Sequence, residues 1–96
     1  MNSDFVWIFN NSMDSISGGV FRSKDIAEKW IKENSLNGIL TKYPLDQGVL
    51  DWAIENDLVG MRPETLENVK NNPKRVGEFT SASMEHFHYE GGEIIK

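Results

Sequence analysis

The first patterned stretch of the chain is five consecutive apolar, β-favouring residues, Phe5-Val6-Trp7-Ile8-Phe9, closed by Asn10-Asn11-Ser12. A short run without polar alternation predicts a strand inside a sheet with both faces covered. Met13–Gly18 reads as a Ser- and Gly-rich loop, and Gly19-Val20-Phe21 as a short second strand returning in a loose hairpin. Ser23 is placed to cap a helix over Lys24–Asn34. Ile26, Ala27, Trp30 and Ile31 fall on one side of that helix, leaving Lys24, Glu28, Lys29, Lys32 and Glu33 for water. Gly38–Tyr43 follows as a strand stopped by Pro44. Strand, helix and strand at this spacing predict a right-handed crossover onto a parallel neighbour.

In the second half, Asp46 is a candidate cap for a helix over Gln47–Asn56, with Val49, Leu50, Trp52, Ala53 and Ile54 apolar. Pro63 suits the first turn of a third helix running to about Asn71, whose apolar content is only Leu66 and Val69. Asn72-Pro73 repeats that start for a short helix to about Thr80, with Val76 and Phe79 inward. Ser81-Ala82-Ser83 reads as a turn, and Met84–Glu90 as the last strand, broken by Gly91-Gly92. The expected fold is α+β: a small mixed β-sheet of three or four strands with several helices packed against it. No repeat, low-complexity tract or linker divides residues 1–96, so a single domain is expected, with Trp7, Trp30 and Trp52 mostly buried.

Composition narrows the chemistry. The absence of cysteine rules out disulfides, thiolate metal sites and cysteine nucleophiles. Ten Lys and Arg against fifteen Asp and Glu, a net charge of −5, argue against binding a phosphate backbone, so no nucleic-acid partner is expected. No apolar run is long enough to span a bilayer, and Met1–Asp4 lacks the basic start of a signal peptide. A cytoplasmic protein with no membrane partner is the simplest reading. Gly18-Gly19 and Gly91-Gly92 lack the frame of a phosphate-binding loop.

Two groupings look chemical. His86, His88 and Glu90 would share one face of a strand, where two imidazoles and a carboxylate could hold Zn²⁺ with a position left open. Ser81 or Ser83 could be drawn beside those histidines with Glu85 or Glu90, but no Gly-x-Ser-x-Gly elbow is present. A polar strand face and a helix-end turn account for both, so no catalytic residue, metal or cofactor is expected. The charge map says more. Between Lys42 and Arg62 the chain carries Asp46, Asp51, Glu55 and Asp57 and no base, and Asp51 and Glu55 share a helix side. Glu85, Glu90 and Glu93 form a second base-free stretch. Two such stretches in one small domain point to a basic partner.

Several blocks carry a resemblance: Trp7-Ile8-Phe9-Asn10, Gly19-Val20-Phe21-x-Ser23 leading into Ala27-Glu28-Lys29-Trp30-Ile31, Thr41–Asp46, Asp51–Glu55 and Phe79–Glu90. Together they resemble a family of small bacterial proteins with no assigned enzymatic activity; Leu58–Lys74 departs most from that pattern. In size and acidity the chain is also similar in type to immunity proteins of bacterial toxin systems, including contact-dependent growth inhibition. That likeness implies a non-enzymatic protein that binds and neutralises a toxin, such as a nuclease, whose basic cleft an acidic surface can fill. The expected partner-binding residues are Asp51, Glu55 and Asp57, with Glu85, Glu90 and Glu93 as a second set. The alternatives are a small metal-binding protein or enzyme using the His86, His88 and Glu90 face, and an oligomer-forming structural domain.

Overall fold

The apolar first strand is an interior strand, second in the sheet. In the computed structural model, which describes residues 4–12, 16–81 and 83–95, β1 (Phe5–Asn11) is paired on both edges. β2 (Ser17–Phe21) lies on one edge of it and β3 (Gly38–Pro44) on the other. β4 (His86–Glu90) and β5 (Glu93–Ile95) extend the order to β2-β1-β3-β4-β5, and every pairing is antiparallel. The described fold is therefore α+β, with a five-stranded antiparallel sheet and four helices. The expected mixed sheet of three or four strands is corrected on both counts.

The expected crossover onto a parallel neighbour is also corrected. β2 and β3 do run parallel across the helix between them, but β1 sits between and pairs with both. Gly91-Gly92 ends β4, as expected, yet it turns the chain into β5, and Tyr89 faces Ile94 across that turn. Of the expected loop Met13–Gly18, residues 13–15 lie outside the described residues, as does the turn residue Ala82, and Ser17-Gly18 belong to β2, which starts two residues earlier than expected.

Register sorts the side chains. Gly19, Phe9, Leu40 and Phe87 form one row across four strands, flanked by Phe21 and Trp7 on one side and by Tyr89 and Ile94 on the other. Helix α1 (Lys24–Glu33) packs on this face and buries Ala27 and Ile31 against it. Its start is as expected, since Ser23 Oγ accepts from the Ile26 amide at 3.3 Å. Trp30 is half-buried, edge-on to Phe9 and tilted against Phe21, with ring centroids 5.6 and 5.2 Å away. Trp7 is buried and Trp52 half-buried.

The buried side of α1 is rotated from the expected one. Ile26 is 56% exposed, whereas Lys24 and Glu28 are half-buried over the sheet. The reason is polar: Lys24 lies 4.2 Å from the centre of the Phe87 ring, and Glu28 accepts from the Tyr89 hydroxyl. Two glycines hold the far end of this layer together. A Cβ on Gly38 would collide with the Asn10 carbonyl oxygen and the Phe9 ring. Gly92, at φ +85°, lies against the last turn of α1 and donates to the Leu36 carbonyl at 3.0 Å.

The remaining helices are α2 (Val49–Glu55), α3 (Pro63–Lys70) and α4 (Pro73–Glu78). Asp46 does not cap α2; it takes a left-handed turn conformation at φ 62°, and Gly48 precedes the helix without a side-chain bond. Pro63 does open α3, and Asn72 Oδ1 does cap α4, accepting from the amides of Lys74 at 3.1 Å and Arg75 at 3.4 Å. Leu50, Ala53 and Val69 are buried, but Val76, expected inward, is exposed. The long dimension of 46 Å far exceeds the width of about 24 Å expected for five strands. α2–α4 therefore extend the molecule beyond the sheet, and α2 adjoins the Pro44 end of β3.

Candidate functional site

Alternation sends the other half of each strand to the opposite side. There, Val20, Ile8, Thr41 and His86 form one cross-strand row, and Asn10, Ile39, His88 and Ile95 the next. Cover is thin on this side. Val20 is 62% and Ile95 52% exposed, Val6, Ile8, Ile39 and Thr41 are half-buried, and His86, His88 and Glu90 are exposed. The expectation that β1 is covered on both faces is thereby corrected: Trp7 and Phe9 meet α1, whereas Val6 and Ile8 belong to an open face. A shallow basin of about 420 Å³ lies on it, lined by Ile39, His88, Glu90 and Ile95 and bordered by Ser12 and Asn37.

The two imidazoles share this face, as strand alternation required. Their ring centroids are 5.6 Å apart and nearly perpendicular. His86 Nδ1 lies 2.7 Å from the Met84 carbonyl oxygen, so it is the protonated nitrogen there, because a carbonyl can only accept. Glu90 stands further along the strand. Among the described residues, no group of three or more His, Asp or Glu side chains is arranged to hold a metal ion. Ser81 Oγ accepts from the Ser83 amide at 3.1 Å, which is a turn contact.

All six carboxylates singled out from the sequence are exposed. Asp51 and Glu55 stand on α2, where Glu55 accepts from Gln47 Nε2 at 2.8 Å, and Asp57 follows in a left-handed turn. Glu85 and Glu93 have loose cationic neighbours, Lys42 at 3.9 Å and Lys32 at 4.0 Å. Exposed pairs of this length contribute little. Glu90 faces Glu93 across the β4–β5 pair. The second set is itself divided: Glu85 lies beside Lys42, at the end of β3 that α2 follows, whereas Glu90 and Glu93 lie at the other end. The β4–β5 turn lies beside Gly38, where β3 begins, and α2 follows Pro44, where β3 ends. A strand of seven residues, about 20 Å, separates them.

Sequence reasoning overlooked one polar cluster on the helix side. Tyr89 is buried, and its hydroxyl donates to Glu28 Oε2 at 2.6 Å, with Lys24 3.5 Å from the same oxygen. Burial, then the hydrogen bond to Glu28 and the Glu28 charge, push the Tyr89 phenol well above its ordinary range. The i, i+4 spacing of Lys24 and Glu28 was the available signal, but it reads equally well as a solvated pair.

Among the described residues, no helix is long and apolar enough to cross a membrane. No curated protein and no solved structure matches the chain. A family does match: residues 6–95 fit the one described as Domain of unknown function (DUF7710), nearly the whole sequence, and the chain belongs to that family.

Proposed function

We propose that this chain is a non-enzymatic binding protein of the immunity type, which neutralises a basic toxin domain, such as a nuclease, through its acidic surface. The observation that carries the reading is the state of the α2 segment. Asp51, Glu55 and Asp57 all stand in solvent, and among the described residues no Lys or Arg pairs with them. Carboxylates without local cations project a negative potential that draws in a basic surface and speeds its association. Glu90 and Glu93 add a second acidic end and Glu85 stands at the end of β3 that α2 follows, and the loose lysine contacts of Glu85 and Glu93 can be exchanged at little cost for a partner's cations. On this reading the protein acts in the cytoplasm, where it would meet a nuclease at its target.

The test uses the product of the adjoining upstream gene as the candidate partner. Its association with the wild type should slow as salt rises, because exposed charges are screened within about 8–10 Å. Reversing Asp51 and Glu55 together to Lys should slow association about tenfold or more. An unchanged association rate in the double variant would remove α2 from the interface. Turnover of a small substrate, abolished by His88→Ala, would move the function to the histidine face.

A further inference from the structure

We infer that the outer edge of β2 takes up an extended, acidic segment of another protein, which adds to the sheet as a further strand. Val20 supplies the backbone contacts and Arg22 the charge. The site uses none of the six carboxylates invoked above, so it stands or falls apart from the acidic-surface reading.

Register fixes where the backbone groups of β2 point. The Lys42 amide donates to the Glu85 carbonyl at 2.9 Å, so Lys42 turns its peptide groups away from β1. In an antiparallel ladder, successive residues turn to opposite edges. Trp7, which faces Lys42, therefore bonds with Phe21, and Phe9 with Gly19, while Ile8 turns to Thr41. Val20, opposite Ile8, is left with its N–H and C=O both directed out of the sheet. The Leu45 amide, donating to the Asp4 carbonyl at 3.0 Å, keeps the same alternation. Sheet edges are ordinarily guarded by shortness, charge or proline. β5 follows that rule, with three residues beginning at Glu93. β2 does not: Ser17–Phe21 holds no charged residue and no proline, and its register is irregular only towards Ser17.

The side chains say what fits. A hollow of about 450 Å³ opens beside Val20, with Phe5, Val6 and Leu45 in its lining and Asp4 and Arg22 as its charged members. Asp4 has a partner of its own. Arg22 is exposed, and among the described residues no carboxylate lies within ion-pair distance of it. The register continued by one residue sets Arg22 across from Val6, on the same side of the sheet as Val20. An antiparallel strand added here pairs one of its residues with Val20 through two hydrogen bonds and sets the residue two places earlier opposite Arg22. The segment therefore reads acid, any residue, apolar. Its carboxylate meets the guanidinium, and its apolar side chain lies beside Val20 at the rim of the hollow. A second copy fits less well, because β2 has no carboxylate to offer Arg22.

Short peptides test this directly. The probe is an eight-residue peptide of β-favouring residues with Glu two places before a Leu; its controls carry N-methyl on that Leu, or Gln for the Glu. In the free chain the Val20 amide should exchange its hydrogen quickly while those of Gly19 and Phe21 are held. The probe, at ten times its Kd, should slow the Val20 amide about tenfold. N-methylation should weaken binding about tenfold, and Gln for Glu about threefold, as befits an exposed ion pair. Arg22→Gln should erase the difference between the Glu and Gln peptides. Val20→Pro removes the outward N–H at a position where an edge strand tolerates proline, and should weaken binding about tenfold. Val20→Thr keeps that N–H and should bind within about threefold of the wild type. Equal binding of the N-methylated peptide, or a Val20 amide already protected in the free chain, would overturn the inference. So would a Glu-over-Gln preference that survives Arg22→Gln, or a dimer, seen by sedimentation, that Val20→Pro dissociates.

Discussion

Ile8 and Phe9 are neighbours in one strand, as are Ile39 and Leu40 in the next, yet they live in different surroundings. Phe9 and Leu40 are 2% and 0% exposed beneath α1; Ile8 and Ile39 remain half-buried on the other side. Nothing in their hydrophobicity accounts for this. The difference comes from Ala27 and Ile31, which let one helix lie flat on one face, and from the lack, among the described residues, of a matching layer on the other. An apolar side chain in a strand therefore has two meanings in this molecule. On the helix side it is core, and on the open side it is surface.

That contrast is easiest to break through stability. Leu40→Ala should destabilise the protein by about 2–5 kcal/mol, the usual cost of truncating a buried Leu. Ile39→Thr, one residue away, should cost less than about 1 kcal/mol, because Thr suits a strand and the site already meets water. Chemical denaturation of both variants gives the comparison directly. Equal losses would mean that the second face is covered after all.

A smaller effect sharpens the same contrast on its polar side. Tyr89→Phe removes a buried hydrogen bond to a carboxylate and should cost about 1.5–3 kcal/mol at neutral pH. Because the folded chain raises the phenol above its unfolded value of about 10, the proton's contribution is complete below that pH and is lost as pH rises beyond it. Wild-type stability should therefore fall in the alkaline range, and Tyr89→Phe should flatten the fall. An identical alkaline slope in the two proteins would show that Tyr89 is not the group responsible.

What was legible in the sequence was what is local. Ser23, Pro63 and Asn72 announce helix starts because a cap acts within one turn, and the structure has a helix at each. His86, His88 and Glu90 were assigned to one face from alternation alone, and they occupy it. Strand order was not legible, since nothing in Gly38–Tyr43 says that its neighbour is β1 and not β2. Glu93-Ile94-Ile95 is too short to announce itself as a strand, and its pairing with β4 is what makes it one. Lys24 and Glu28 were assigned to water because their partners, Phe87 and Tyr89, come some sixty residues later. The open face escaped notice for a related reason: five apolar residues in a row look the same whether one side or both are covered.

Among the described residues, β3 is the strand whose backbone pairing joins the first hairpin to the last. β1 and β2 form a hairpin from sequence neighbours, and so do β4 and β5 over Gly91-Gly92, but the backbone ladder passes from β1 to β4 through β3. Hairpins of this kind form within microseconds, whereas joining Phe5 to Pro44 and Thr41 to His86 closes long loops before any contact rewards it. The kinetic barrier to folding should accordingly lie at the docking of this one strand. Leu40→Val should slow refolding nearly in proportion to its loss of stability, while Ile94→Val in the last hairpin should chiefly hasten unfolding. Refolding and unfolding rates across denaturant would separate the two, and equal partitioning in both variants would show that the sheet is joined elsewhere first.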